Sequence, residues 1–348
     1  MGDLYSQYLS SLDENSIFVN NIYLFLMKDI VKDITFAENN QSDSVLTKYV
    51  TMLLQYTKDS SLSIDSNKTN EFAQILGEAH FYLLCKEKNI YLDKINESDD
   101  KTPDFKHRDS DIYFEVKTLS LVDGSKGIKQ DLEASLDAKV LLDEQYRKGN
   151  VFTSAMSVFQ PYGLKPYQQE NGSISTVINT LIEKTKQNYK FGQFSNVNTF
   201  MVINLSILPP FRTDNNVLRP YYGDDILFNK SVSGELWMMA FAHPGMLVLG
   251  IPEYERKPCV ECILGKSGIL ADDNYKNISG LLFMIHPLRR EPEIWGLYRQ
   301  EDYIHWNDNA PHIVNTLTAL TSKNWNDSKD SNSWQLKYFI SDKKDVFN

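Results

Sequence analysis

The chain is predicted to fold as an α/β (α+β) protein, a mixed central β-sheet flanked by helices. Three observations carry that prediction. Long segments with apolar residues at helical spacing alternate with short apolar runs. One short run, Thr199-Phe200-Met201-Val202-Ile203-Asn204-Leu205, is too continuously apolar for a strand with one wet face and reads as central. Another, Ile112-Tyr113-Phe114-Glu115-Val116-Lys117-Thr118, alternates, so that Ile112, Phe114 and Val116 share one face and Tyr113, Glu115 and Lys117 the other.

At 348 residues, with 42% hydrophobic and 24% charged residues, the chain can bury a sizeable core and is not of disordered composition. No apolar run approaches the ~20 residues of a membrane span, and Met1-Gly2-Asp3-Leu4 lacks the pattern of a secretory signal. Three cysteines do not make a disulfide framework. These features set the expectation of a soluble, cytoplasmic protein with no membrane partner. The net charge of −10 argues against a protein that coats nucleic acid indiscriminately, though it allows a local basic groove. Asp93 to Glu115 holds eight acids against four Lys or Arg, a crowding found around metal sites and on plain solvated surfaces alike.

Residues 1 to about 65 read as two or more helices. Ile17, Ile22, Leu24, Phe25, Ile30 and Ile34 form one stripe, and Val45, Tyr49, Leu53 and Tyr56 another. Thr69–Lys88 is a helix burying Phe72, Ile75, Leu76, Ala79 and Leu83, with Glu71 and Glu78 along its flank. A strand begins at Ile90, an acidic turn follows, and then the pair of strands around Asp104 and Glu115. Lys126–Lys148 is helical, Asn150–Gly172 irregular and aromatic, and Ser173–Tyr189 helical. Beyond the central strand, which Pro209-Pro210 stops, come a helix near Gly234–Ala242 and strands at Met246–Ile251, Ile278–Ile285 and Ile294–Tyr298. A helix at Pro311–Leu320, a polar loop at Asn324–Ser333 and an apolar run at Trp334–Ile340 complete the chain. Three parts are expected: helices over 1–67, a core over 68–210 with an insertion at about 121–172, and an α/β extension over 211–348, with room for added strands in the core sheet.

The turn Arg108-Asp109-Ser110-Asp111 predicts an antiparallel hairpin, and its register can be tested by parity. Centring the turn on Asp109-Ser110 sets Phe105 opposite Phe114 and Asp104 opposite Glu115. A slip of one residue would put Asp104 against the core-facing Phe114. The favoured register therefore brings two carboxylates and the Lys117 ammonium together. Carboxylates that close need a cation or a proton between them, and carboxylate oxygens beside a lysine suit a hard divalent metal and its bound water.

Helix, strand, hairpin, helix and strand from Thr69 to Leu208, with Pro103-Asp104 on the first hairpin strand and Glu115-Val116-Lys117 on the second, resemble the PD-(D/E)xK phosphodiesterase superfamily of restriction-endonuclease-like nucleases. Context carries the resemblance. An acid two residues before a lysine recurs at Asp99, Asp104, Asp137, Glu255, Asp327 and Asp342, without the alternating flanks or a Pro-Asp strand upstream. The resemblance implies that Asp104, Glu115 and the Val116 carbonyl ligate Mg²⁺ or Mn²⁺, and that Lys117 orients or helps deprotonate the attacking water. It gives Glu78 the place of a helix acid contributing to the site, ahead of Glu71, and Lys184, Lys186 and Gln187 that of phosphate-contacting or site-ordering residues. The implied protein is a Mg²⁺-dependent nuclease of restriction or phage-defence type acting on DNA ahead of RNA, with a homodimer or an activating partner as further associations. The alternative from another class is a non-catalytic nucleic-acid or protein-binding module that keeps the fold.

Simpler roles stand beside these. Asp104, Glu115 and Lys117 could form a structural ion pair on a sheet surface, and Lys184, Lys186 and Gln187 a solvated helix face. Cys259-Val260-Glu261-Cys262 has the spacing of half a zinc site without an evident second half. Phe152, Phe159, Tyr162 and Tyr167 could stack on unpaired bases, but core or loop packing is the favoured role.

Overall fold

The computed structural model describes residues 3–13, 22–58, 62, 65–96, 102–119, 128–150, 152–154, 173–207, 234–249, 260–286, 291–299 and 310–327. The chain divides into two compact units, Met1–Leu83 with Asp123–Pro161, and Leu84–Val122 with Tyr162–Asn348. The division differs from the three parts expected. It falls inside a helix, and it groups part of the predicted insertion with the N-terminal helices.

The first unit is helical among its described residues. It holds α1 (Leu4–Asp13), α2 (Ile22–Asn40), α3 (Ser44–Thr57), most of α4 (Ser66–Glu87) and α5 (Ile128–Arg147). Asp43 starts α3 by accepting the Val45 and Leu46 amides at 2.9 and 3.1 Å, which satisfies donors that have no partner within the helix. The helical spacing of Tyr49 and Leu53, and of Phe72, Leu76, Ala79 and Leu83, is realised as buried stripes. Tyr8 stacks on Phe72 with ring centroids 5.6 Å apart.

The second unit is organised by a seven-stranded sheet of order β1-β2-β3-β4-β7-β8-β9. Its strands are β1 (Leu92–Lys94), β2 (Phe105–His107), β3 (Tyr113–Thr118), β4 (Thr199–Asn204), β7 (Gly280–Ile285), β8 (Glu293–Tyr298) and β9 (Lys323–Asn326). Strands β5 (Leu247–Leu249) and β6 (Val260–Ile263) form a separate antiparallel pair. Helices α6 (Ser173–Asn188), α7 (Glu235–Phe241) and α8 (Ala310–Leu320) belong to the same unit. The β3–β4, β4–β7 and β8–β9 pairs are parallel and the others antiparallel, so the sheet is mixed as expected, and the strands after residue 211 extend it.

Cross-strand register turns this sheet into rows of side chains. One row runs Phe105, Phe114, Phe200, Gly280. Tyr298 closes over the glycine: a Cβ at Gly280 would stand 2.6 Å from the Tyr298 ring and 3.1 Å from Phe200. Two further rows lie on the opposite face. One runs Glu115, Met201, Leu281, Leu297, Trp325, and the next Lys117, Ile203, Phe283, Trp295, Lys323. Their apolar members share one buried cluster with Ile178, Leu181 and Ile182 of α6 and Leu236 to Phe241 of α7.

Two elements depart from expectation. Lys323–Asn326, expected to be in or beside a polar loop, is the edge strand β9: backbone pairing with β8 recruits it and Trp325 fills the end of a row, although its other residues are polar. Val260–Ile263, considered only for its thiols, is a strand paired with Leu247–Leu249. The expected run Trp334–Ile340 lies outside the described residues, as does Cys259. Among the described residues no helix is long and apolar enough to cross a membrane.

Candidate active site

The observed hairpin has the predicted register: Phe105 faces Phe114 and Lys106 faces Tyr113. One further step along it sets Asp104 opposite Glu115. The His107 amide donates to the Ile112 carbonyl at 2.8 Å, which makes 107 and 112 a hydrogen-bonded pair. By alternation 105 and 114 are another, and 104 and 115 are a non-hydrogen-bonded pair, the kind whose Cα atoms approach to roughly 4.5 Å.

The next hydrogen-bonded pair would be Pro103 with Val116. Proline has no N–H, so it cannot donate to the Val116 carbonyl. The Val116 amide is met instead by the Asp104 side chain, whose Oδ2 accepts it at 2.8 Å. The Pro-Asp dipeptide thus does two local jobs. It anchors one carboxylate oxygen on the neighbouring strand, and it withholds a ladder donor from the Val116 carbonyl.

The second carboxylate is more deeply placed than its alternation suggests. An alternating strand is expected to keep Glu115 on a face away from the core, yet Glu115 is 1% exposed. The reason is topological. Strand β3 has β2 on one side and the parallel β4 on the other, and the Glu115 row continues into the cluster under α6 and α7. Sheets with parallel strands are covered on both faces. A buried carboxylate needs a cation, and Lys117, 14% exposed, pairs with Glu115 Oε1.

A second lysine, absent from the sequence-based list of candidates, completes the group. Lys94 of β1 donates to Asp104 Oδ1 at 3.0 Å, with the two side chains 26% and 13% exposed. Its Nζ lies 4.9 Å from the centre of the Phe105 ring. Lys94–Asp104 and Lys117–Glu115 are thus two carboxylate–ammonium pairs at the same end of the hairpin.

The other expected residues have contacts of their own. Glu78 belongs to the first unit, where its Oε2 accepts from the Tyr49 hydroxyl at 2.8 Å; Glu71 likewise accepts from Tyr56 at 3.1 Å. Lys186 of α6 donates to Asp272 at 2.7 Å and to the Ser267 carbonyl at 3.2 Å, tying the helix to the segment before β7. Burial alone would raise the Asp272 pKa, but hydrogen bonds from Lys186 and Asn274 outweigh it and hold the carboxyl below its ordinary range. Lys184 is half-buried and Gln187 exposed.

No family model, no curated protein and no solved structure matches the chain. The chemistry of the site therefore rests on its own geometry. Among the described residues no group of three or more His, Cys, Asp or Glu is gathered as a metal cage. Mg²⁺ does not require one. It is commonly held by one or two carboxylates, with waters and substrate phosphates supplying the rest. Asp104 and Glu115 with the Val116 carbonyl are an all-oxygen set of that kind, and they fit a hard divalent cation in donor type.

The hairpin's turn carries a pH-sensitive contact. His107 Nδ1 accepts the Asp109 amide at 3.3 Å and lies 2.9 Å from Ser110 Oγ. Burial favours the neutral imidazole and lowers its pKa, His312 acts in the same direction, and Asp109 opposes both. The unfolded chain therefore takes up the proton first as pH falls through about 6.5, and stability contributed by neutral His107 is lost from there toward its lower folded-state pKa. His107→Gln is expected to flatten that acid-side loss in a series of melting curves. Parallel profiles for the two proteins would assign the loss to other groups.

Proposed function

We propose that the Asp104–Glu115–Lys117 face of the hairpin is the active centre of a metal-dependent nuclease that hydrolyses phosphodiester bonds of DNA, of the restriction or phage-defence type. The observation that carries the reading is that Asp104 accepts the Val116 amide at 2.8 Å, between the buried Glu115 and its partner Lys117. Proline at 103 supports it by leaving the Val116 carbonyl without a ladder donor from that residue.

In this reading Asp104, Glu115 and the Val116 carbonyl hold Mg²⁺ or Mn²⁺, which supplies Lewis acidity at a phosphoryl oxygen and a water of lowered pKa. Lys117 is placed to orient the attacking water and to donate to the anionic oxygens as the new P–O bond forms. The P–O bond to the leaving oxygen breaks, that oxygen takes up a proton from solvent, and the attacking water gives up one of its own to solvent. Lysine suits this position because its ammonium is a compact donor to anionic oxygens.

One observation favours a second reading, a non-catalytic nucleic-acid or protein-binding module with the same fold. Asp104 and Glu115 each already pair with a lysine. Incubation with DNA decides between them. The nuclease reading expects cleavage with Mg²⁺ or Mn²⁺, none with chelator, and loss of cleavage in Asp104→Asn with the melting temperature of a folded protein. Equal cleavage by Asp104→Asn would remove this site from the chemistry.

A further inference from the structure

We propose that the hairpin face leading to Asp104 is a track for single-stranded DNA, built from two cation–aromatic pairs. Arg108 with Tyr91 and Lys106 with Tyr113 hold an unpaired strand by its phosphates and base faces and lead it to the acids. The proposal rests on the reading of Asp104 and Glu115 as an active centre and adds the form of DNA that the centre takes.

Alternation along β2 and its flanks puts Asp104, Lys106 and Arg108 on one face. Cross-strand pairing continues their rows: Lys106 stands between Asp93 and Tyr113, and the Arg108 amide donates to the Tyr91 carbonyl at 2.9 Å. The Lys106 ammonium lies 5.5 Å from the centre of the Tyr113 ring, and the Arg108 guanidinium 5.7 Å from that of Tyr91. Side-chain exposure falls along this face, from 54% at Arg108 through 39% at Lys106 to 13% at Asp104. The face thus descends from water at the turn to the acid. Arg108 to Asp104 is roughly 13 Å along the strand, and a stacked strand rises roughly 3.4 Å per nucleotide, so about four nucleotides span it.

The chemistry of the pairs selects an unpaired strand. A cation beside an aromatic ring offers charge to a phosphate, and the ring or the guanidinium plane stacks on a base. A duplex keeps its base faces stacked inside and offers mainly its phosphates. With a net charge of −10 the chain gains little from phosphates in general, so stacking decides which form is held. Arg108 donates Nε and Nη2 to a single oxygen, Asp93 Oδ1, at 3.3 and 3.1 Å, and among the described residues no partner meets its Nη1. Lys106 pairs with Asp111 at 2.9 Å. Both acids are exposed, and an ion pair in water is weak enough for a phosphate to replace the carboxylate. Until it does, each acid keeps its cation near the ring.

Fluorescence anisotropy of the full chain with a labelled oligothymidylate, in chelator so that nothing is cut, tests the track apart from the chemistry. The natural chain is expected to bind the single strand roughly tenfold or more tightly than a duplex of the same length. Arg108→Gln, Lys106→Gln and Tyr91→Ala are each expected to weaken single-strand binding by roughly tenfold. Tyr91→Phe keeps the ring and should bind as the natural chain does, which separates stacking from a loss of fold. Each glutamine variant should also flatten the slope of log affinity against log salt by about 0.7. Natural affinity in any one of the three weakened variants, a duplex bound as tightly as the single strand, or no binding of either would overturn the track. Cleavage lost in Asp104→Asn would then still uphold the active centre. Single-strand binding that these variants weaken, with no cleavage in Mg²⁺ or Mn²⁺, would keep the track as a binding surface and end the nuclease reading.

Discussion

Lys117→Met is expected to lower metal-dependent cleavage by roughly 10³-fold and to destabilise the second unit by about 3–5 kcal/mol. The two effects have different origins. Cleavage falls because the water and the phosphoryl oxygens lose their ammonium donor. Stability falls because Glu115, 1% exposed, loses the cation paired with it. Glu115→Gln combined with Lys117→Met removes both charges, and much of the lost stability is expected to return while cleavage does not. Urea unfolding followed by tryptophan fluorescence suits the measurement, because all five tryptophans lie within residues 162–348 and so report on the second unit. Cleavage retained by the double variant would end the nuclease reading. A double variant no more stable than Lys117→Met would show that the pair is not what keeps Glu115 buried.

The hairpin was legible in the sequence because three local signals agree there. Alternation at Ile112, Phe114 and Val116 fixes which face is buried, the polar turn fixes the direction, and Pro103 marks the end of the ladder. The continuous run at Phe200–Ile203 likewise announced a strand covered on both faces, and every residue of Thr199–Asn204 is buried. What escaped depends on long-range neighbours. Alternation allows Glu115 to face water. Only the pairing of β3 with β4 and the helices over their shared rows bury it, and those lie far along the chain. Lys94 escaped for a different reason: parity assigns it to the Phe105 side, and a flexible side chain crossing to the next residue's acid leaves no periodic trace. Lys186 could not be told from a solvated lysine by spacing, because its partners Ser267 and Asp272 are set by tertiary packing. Strand β9 is a polar segment recruited by backbone pairing, with Trp325 as its main apolar signal.

Phe114→Ala is the stability prediction with the largest expected effect away from the charges. Phe114 is fully buried in the row Phe105, Phe114, Phe200, with its ring centroid 6.1 Å from that of Phe200. Truncation is expected to cost about 3–5 kcal/mol, from lost burial and from the cavity left between two rings. Phe114→Leu keeps most of the volume and is expected to cost about 1.5 kcal/mol or less. The urea midpoint reported by tryptophan fluorescence measures both, and a midpoint for Phe114→Ala within error of the natural chain would mean that this row does not hold the hairpin. The consequence for function follows from parity. The Phe105–Phe114 pairing is what makes the slipped register unfavourable, since slipping sets Asp104 against the apolar face. An alanine there weakens that penalty, so Mn²⁺ binding by Phe114→Ala should weaken along with stability although the substitution lies on the opposite face of the sheet from Glu115. Phe114→Leu should restore both together. Recovery of stability without recovery of binding would separate the packing of the row from the placement of Asp104.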